Sequence, residues 1–160
     1  MDLRIGKRLV ASLLWMAMLA LPGAAQVERA IVEAVYGDID CLPCAATIEL
    51  ALRKVPGVDK IAVSMEKQMV AVTFKPDATF DPKAIRDGIA KAEVRIQTIH
   101  LAARGKAQKE GDKVFLVAGK NRFLVANPAK VPTDVPLGVM GVLDDSKSPF
   151  QITLDDFKPQ

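Results

Sequence analysis

The stretch from Gly37 to Val58 reads GDIDCLPCAATIELALRKVPGV, and its pattern decides the fold. It contains the only two cysteines of the chain, Cys41 and Cys44, at CxxC spacing. Apolar residues then recur at helical spacing until Pro56-Gly57, a pair that ends a helix. Residues 27–36, rich in Val, Ile and Ala, precede this stretch and predict a buried strand. The cysteine pair is therefore predicted to lie on a strand-to-helix loop.

Thiolate chemistry makes this loop the candidate functional site. The thiolate is the metal-binding and nucleophilic form of cysteine, and a helix N-terminus stabilises it through free N–H groups and the helix dipole. Asp40 or Cys41 is a candidate N-cap residue, and Pro43 suits the first turn. Four interpretations are open at this point: a two-thiolate metal site, a thiol–disulfide redox pair, half of a zinc site, and a structural disulfide.

The element order beyond this helix predicts the fold class. Residues 58–65 and 69–74 form a strand–turn–strand unit, a second helix starts with Asp81 as its cap and Pro82 at its first position, and residues 94–101 form a last strand. The order strand, helix, strand, strand, helix, strand is the split βαβ arrangement of the ferredoxin-like fold. We therefore expect an α+β domain in which two helices cover one face of a four-stranded antiparallel sheet.

The pattern changes at residues 102–106, and no convincing helix follows. Residues 113–117 and 122–126 predict a hairpin, and residues 136–143 and 150–154 predict further strands. Repeated Pro and Gly suit short strands joined by tight turns. We expect residues 104–160 to form a small all-β, OB-like module; the alternative is that these strands extend the first domain.

The first 25 residues resemble a cleaved secretory signal. Basic residues precede an apolar run from Leu9 to Leu21, and small residues follow it before Gln26. The run is shorter than the roughly 17–25 residues of a membrane-spanning helix, which argues against an uncleaved anchor. We expect a periplasmic or secreted protein without a membrane span after cleavage.

Removing this segment also changes the charge of the chain. Residues 1–25 hold three of the 22 basic and one of the 19 acidic residues, so the remaining chain carries a net charge of +1. A nearly neutral chain gives no reason to expect nucleic-acid binding. Export would place both cysteines in an oxidising compartment, where an unliganded pair is prone to form a disulfide.

The motif at 41–44, the helix after it, Pro56-Gly57-Val58 and the strand at 70–74 together resemble the heavy-metal-associated domain. The resemblance covers residues 27–101, and we place the domain at residues 26–103, between the signal segment 1–25 and the β-rich segment 104–160. It implies that Cys41 and Cys44 bind a soft metal ion. Periplasmic mercury-binding proteins and copper chaperones are the members it most resembles.

Two departures from the family pattern bear on the metal. Asp40 directly precedes the first cysteine, as in some zinc-, cadmium- and lead-exporting ATPase domains, and is a candidate third ligand. Two thiolates suffice for Cu(I) or Hg(II), whereas an added carboxylate favours divalent ions of higher coordination such as Zn(II) or Cd(II). The sequence also has Ala92-Glu93-Val94 where the family often has Gly-Tyr or Gly-Phe near the metal loop.

The remaining sulfur and imidazole groups are weaker candidates. His100 is the only histidine, but the predicted sheet places it about six residues from the loop end of its strand, roughly 20 Å at 3.3 Å per residue. Met65 and Met69 flank a turn and are more simply explained by packing.

These patterns support one predicted function and leave two alternative functions open. We predict a metal-binding protein, not an enzyme, that captures or relays one ion and passes it to a metal transporter or another metal-receiving protein. The first rival is a periplasmic thiol–disulfide oxidoreductase, since Cys41-Leu42-Pro43-Cys44 has the CxPC form of thioredoxin-like motifs. Against it, Asp40 stands where such motifs usually have an aromatic residue. The second rival is an interaction module in which residues 104–160 dock the metal domain on a partner.

Overall fold

The structure is a computed structural model that describes residues 24–160. Most of the predicted signal segment, residues 1–23, lies outside the described residues. The elements are, in chain order, β1 (Gln26–Ala34), α1 (Leu42–Leu52), β2 (Val58–Ser64), β3 (Met69–Phe74), α2 (Pro82–Ala90), β4 (Ile96–Glu110), β5 (Lys113–Ala118), β6 (Asn121–Val125), β7 (Pro136–Asp144) and β8 (Gln151–Pro159). Between residues 24 and 160, neither helix combines the length and the apolar character needed to cross a membrane.

The first six elements form the predicted ferredoxin-like arrangement. Strands β2, β3, β1 and β4 lie side by side in that order, with every neighbouring pair antiparallel. Strand β3 buries alternate residues, as a half-buried strand should. These side chains share one core cluster with the buried faces of the two helices, which contribute Ile48, Leu52, Ile85 and Ile89. The βαββαβ expectation is confirmed.

The C-terminal strands continue the same eight-stranded sheet, so the separate all-β module expected for residues 104–160 is not confirmed. Strand β4 runs for 15 residues, so it extends well past the predicted end at residue 101. Its first part pairs with β1, its last part pairs with β5, and residues 100–106 also pair with β7. The order β4-β5-β6-β8-β7 then returns to β4, with β6 and β8 parallel. The extra strands thus form a barrel-like sheet that shares β4 with the ferredoxin-like part.

Small residues let β4 serve both parts of the sheet. Leu101, Ala103, Gly105 and Ala107 alternate as buried positions along the strand. A Cβ atom on Gly105 would lie 2.1 Å from the carbonyl oxygen of Val117 on β5, closer than any side chain allows. Glycine at this position therefore permits the close approach of β5.

Polar and aromatic contacts join the barrel-like part to the helical layer. Asn121 is buried, accepts a hydrogen bond from the Phe80 N–H at 2.7 Å, and donates to the carbonyls of Ala78 and Ala118. The Phe80 ring lies between those of Phe74 and Phe123. These contacts attach the turn between β5 and β6 to the loop that leads into α2. The two-domain division stays a prediction, and its boundary at residues 103/104 lies inside β4.

Candidate metal site

The cysteine pair lies at the N-terminus of α1, as the sequence predicts. Cys41 is the N-cap residue, with extended backbone angles of φ −136° and ψ 146°, and its Sγ accepts a hydrogen bond from the Cys44 N–H at 3.0 Å. Pro43 occupies the first turn, where its missing N–H costs no helical hydrogen bond. Of the two candidate N-cap residues, Cys41 caps the helix and Asp40 does not.

Asp40 lies beside the two sulfur atoms. Its Oδ1 is 3.7 Å from Cys44 Sγ, and the candidate ligand atoms of Asp40, Cys41 and Cys44 all lie within 4.8 Å of one another. The Asp40 side chain is exposed and the two cysteines are half-buried. Within residues 24–160 this is the one group of three acidic, histidine or cysteine side chains that is close enough to hold an ion.

In this structure Cys41 and Cys44 are joined by a disulfide bond, with their Cα atoms 5.1 Å apart. Neither sulfur is then a thiol, so the approach of Asp40 to Cys44 Sγ is a contact and not a hydrogen bond. The arrangement can follow two kinds of chemistry. Reduced, the loop presents two thiolates and one carboxylate to a soft ion; oxidised, it presents a disulfide that another thiol can attack.

Gln68 holds the loop that precedes the cysteines, a role that the sequence analysis missed. Its Oε1 accepts from the Ile39 N–H and its Nε2 donates to the Ile39 carbonyl, both at 2.9 Å. Nε2 also donates to the Met65 carbonyl at 2.5 Å. Ile39 itself is buried, 1% exposed, and anchors the loop in the core. Only the position of Gln68 in the turn before β3 offered a sequence signal for this role.

An ion pair fixes the loop from its other side. Arg95 donates from Nε and Nη2 to the two carboxylate oxygens of Asp38 at 2.9 Å, and the Arg95 backbone N–H donates to the same carboxylate at 2.9 Å. The side-chain hydrogen bond from Arg95 holds the pKa of Asp38 below its ordinary value of 3.8, and that of Arg95 is raised in return. The corner after α2, which lacks the family's aromatic residue, thus contacts the loop through Arg95.

Three large apolar side chains in the cysteine loop and along α1 are exposed to solvent. Tyr36 is 89% exposed and Leu42 is 76% exposed, one on each side of the loop. Leu50, 62% exposed, follows two turns along α1. The segment that carries the cysteines therefore exposes apolar surface to solvent.

His100 lies away from the site, where the sequence analysis placed it. In the sheet it is opposite Ile31 of β1 and Val142 of β7, whereas the cysteine loop begins after the end of β1 at Ala34. Its Nε2 lies 3.3 Å from Glu33 Oε1. Met65 and Met69 frame the turn that contains Gln68, and Met65 packs against the core.

Comparison with known families identifies this part of the chain. Residues 37–94 match the profile of the heavy-metal-associated domain. The match begins just before the cysteine loop and ends just before β4. The resemblance inferred from the motifs is thus confirmed over residues 37–94, which include the cysteine loop, both helices and the two strands between them.

Three solved structures are similar to part of the chain. A copper binding domain from the P-type ATPase HMA7 is 24% identical, with a TM-score of 0.37 over 44% of this chain and 90% of that one. A heavy metal binding protein from Thermotoga maritima is 21% identical, with a TM-score of 0.35 over 44% of this chain and 94% of that one. A third structure, described under crosstalk between Cu(I) and Zn(II) homeostasis, is 29% identical. Its TM-score is 0.35, and the match covers 46% of this chain and 97% of that one. No curated protein matches the chain.

Proposed function

We propose that the protein captures a soft heavy-metal ion through Cys41 and Cys44 and relays it to a metal transporter or a metal-receiving protein. The observation that carries this proposal is the cluster of two sulfurs and one carboxylate at the start of α1, inside a heavy-metal-associated domain. The metal is cargo here, and the reduced pair is its clamp.

The two sulfurs and the carboxylate are suited to different metal ions. Two thiolates alone satisfy Cu(I) or Hg(II), while Zn(II) and Cd(II) gain from a further oxygen ligand. Asp40 Oδ1 is close enough to Cys44 Sγ to join the same ion. We therefore propose Asp40 as an auxiliary ligand for divalent ions.

The first experiment measures metal per chain by native mass spectrometry under reducing conditions. We expect one ion on the parent protein and none on Cys41→Ser, Cys44→Ser or the double variant. Ala46→Ser is the matched control, because it adds a hydroxyl to an exposed position of the same helix without removing a thiol. Metal retained by the double serine variant would refute the site.

The second experiment compares Cu(I), Hg(II), Zn(II) and Cd(II) in competition on the parent protein and on Asp40→Asn. An auxiliary carboxylate predicts weaker Zn(II) and Cd(II) binding in the variant, with Cu(I) and Hg(II) unchanged. Equal losses for all four ions would show that Asp40 acts on the loop and not on the metal.

Export to the periplasm is part of the proposal. It rests on the basic and apolar pattern of the first 25 residues and agrees with the disulfide in the structure, since disulfides persist in oxidising compartments. Cell fractionation with N-terminal sequencing tests it, and we expect a mature chain that starts at Gln26.

A thiol–disulfide oxidoreductase is the second candidate, favoured by the disulfide itself. The fold offers it less support, since the pair belongs to a heavy-metal-associated domain and Asp40 places a negative charge beside one sulfur. A disulfide-exchange assay decides between the two. A metal carrier should not accelerate the reduction of a protein substrate above the rate of the free thiol.

A further inference from the structure

One face of the sheet has no helix packed against it. On β1, Ala30 and Val32 are buried in the core cluster that both helices share, so the alternate residues Arg29, Ile31 and Glu33 point to the opposite face. The part of the chain that the structure describes has two helices, and both contribute buried residues to that cluster. The second face of the sheet is therefore not covered by a helix.

The middle of this uncovered face is mainly apolar. Six side chains form it, and we call them the open face: Ala71 on β3, Ile31 on β1, His100 and Ala102 on β4, and Met140 and Val142 on β7. Ile31 lies opposite Ala71 on one side and His100 on the other. Met140 is 53% exposed, so the patch reaches solvent. A continuous apolar patch on a protein surface marks a site of contact with another molecule.

Two opposite charges lie on either side of Ile31 on β1. Arg29 and Glu33 are each two residues from Ile31 on the same face, so they are about 13 Å apart at 3.3 Å per residue. Arg29 is exposed and has no ion-pair partner among residues 24–160. A second copy, turned over about an axis that crosses β1 at Ile31, would place its Glu33 against this free Arg29. The pattern of charges on the face is thus complementary to itself.

We propose that the open face binds a second copy of this chain, related by a two-fold axis that crosses the strands along the row of Ile31. The apolar side chains of the two copies meet at the centre, and two Arg29–Glu33 ion pairs form, one on each side of Ile31. This dimer is independent of the proposed metal function, because the open face lies on the side of the sheet away from α1. The cysteine loops follow the ends of the two β1 strands, so they lie at opposite ends of the dimer.

The size of the face determines how strongly the copies bind. The uncovered surface extends over six strands, from β2 through β3, β1, β4 and β7 to β8, and over three rows of side chains. At ordinary strand spacing this is roughly 29 Å by 20 Å, so two copies bury roughly 1,100 Å² in total. That area is at the low end for specific interfaces. We therefore expect a dimer that forms at high protein concentration and dissociates on dilution.

Sedimentation velocity of the purified protein tests whether the dimer exists. The concentration is varied from about 1 µM to about 1 mM, a range chosen for a weak interface, at low salt. The pH is about 8, where histidine is normally neutral, so that the two His100 side chains do not repel each other. We expect the mass to rise from that of a monomer to that of a dimer. A monomer at every concentration overturns the proposal, whether or not another protein covers this face.

Charge reversal tests the arrangement of the two copies. Arg29→Glu and Glu33→Arg each bring like charges together twice, so each should weaken dimerisation roughly tenfold or more. The double variant Arg29→Glu/Glu33→Arg restores opposite charges and should dimerise at the same concentrations as the parent. Lys54→Glu reverses an exposed charge after α1, on the other side of the sheet, and is the matched control. Single variants that dimerise like the parent, or a double variant as weak as the single ones, would overturn the proposed pairing.

A cysteine on the two-fold axis tests the contact without changing any charge. Ile31→Cys is made in the Cys41→Ser/Cys44→Ser background, so that each chain carries one thiol, and the protein is oxidised with diamide. We expect a disulfide-linked dimer, because the two copies of residue 31 face each other. Ala46→Cys in the same background places the thiol at an exposed position of α1 and should cross-link much less. Equal cross-linking of the two variants would overturn the proposal.

Discussion

Gln68 and Ile39 form a reciprocal pair of hydrogen bonds, in which the side-chain amide of Gln68 binds both the N–H and the carbonyl of Ile39 at 2.9 Å. Through these bonds, the turn before β3 holds the backbone of the loop before the cysteines in place. The site owes its position to this pairing as well as to the helix that follows it.

Shortening this side chain should loosen the loop. In Gln68→Asn the amide cannot reach Ile39, while asparagine tolerates the positive φ of 52° at this position, so backbone strain is not added. We expect a loss of about 1–3 kcal/mol in the free energy of unfolding and faster hydrogen exchange at the Ile39 amide. Gln97→Asn, at an exposed position of β4, is the control. An unchanged rate of hydrogen exchange at the Ile39 amide would show that Gln68 does not hold the loop in place.

The Asp38–Arg95 pair predicts a defined dependence of stability on pH. Because Arg95 lowers the pKa of Asp38 in the folded protein, the pair stabilises the fold fully above the ordinary pKa of 3.8, and this contribution is lost as the pH falls through the lowered value. We expect the difference in unfolding free energy between the parent and Arg95→Gln to shrink below pH 3.8. Carboxyl titration by NMR should find the Asp38 midpoint lowered in the parent and restored in the variant. Arg29→Gln, another exposed arginine, should leave that midpoint lowered.

Asn121 should be among the most sensitive polar positions of the chain. In Asn121→Ala the Phe80 N–H and the carbonyls of Ala78 and Ala118 lose their partner at a buried site. We expect the variant to lose about 1–3 kcal/mol in the free energy of unfolding, measured by denaturant titration. Lys120→Ala, at the exposed neighbouring position, should change stability little. Equal effects of the two substitutions on stability would show that the hydrogen bonds of Asn121 do not stabilise the contact between the barrel-like strands and the loop before α2.

Removing residues 104–160 should prevent cooperative folding. Leu101 and Ala103 on β4 are each 1% exposed and belong to the single core cluster that also contains the barrel-like strands. Truncation would expose them and leave β4 without β5 and β7. We expect no sharp thermal transition by circular dichroism. A truncated chain that melts like the parent would show that the extra strands are dispensable for the fold.

The ferredoxin-like half and the position of the cysteine pair were predictable because local patterns specify them. Pro43 and Pro82 mark the first turns of the two helices, and the apolar period changes cleanly between helix and strand. The length of β4 was not predicted, because its buried positions continue as Ala103, Gly105 and Ala107, which are too small to stand out as an alternating apolar pattern. Gln68 was missed because its contact with Ile39 depends on how two distant turns meet.

Closure of the barrel-like sheet also determines where another chain could add a strand. In residues 24–160, β2 is the strand that pairs along one side only, with β3, since the far end of the sheet returns to β4. Its outer side has backbone hydrogen-bonding groups without strand partners, and the exposed charges of Asp59 and Lys60 lie there, as on edge strands that resist aggregation. Another chain could therefore extend this sheet only by pairing with β2, and the charges on β2 oppose such pairing.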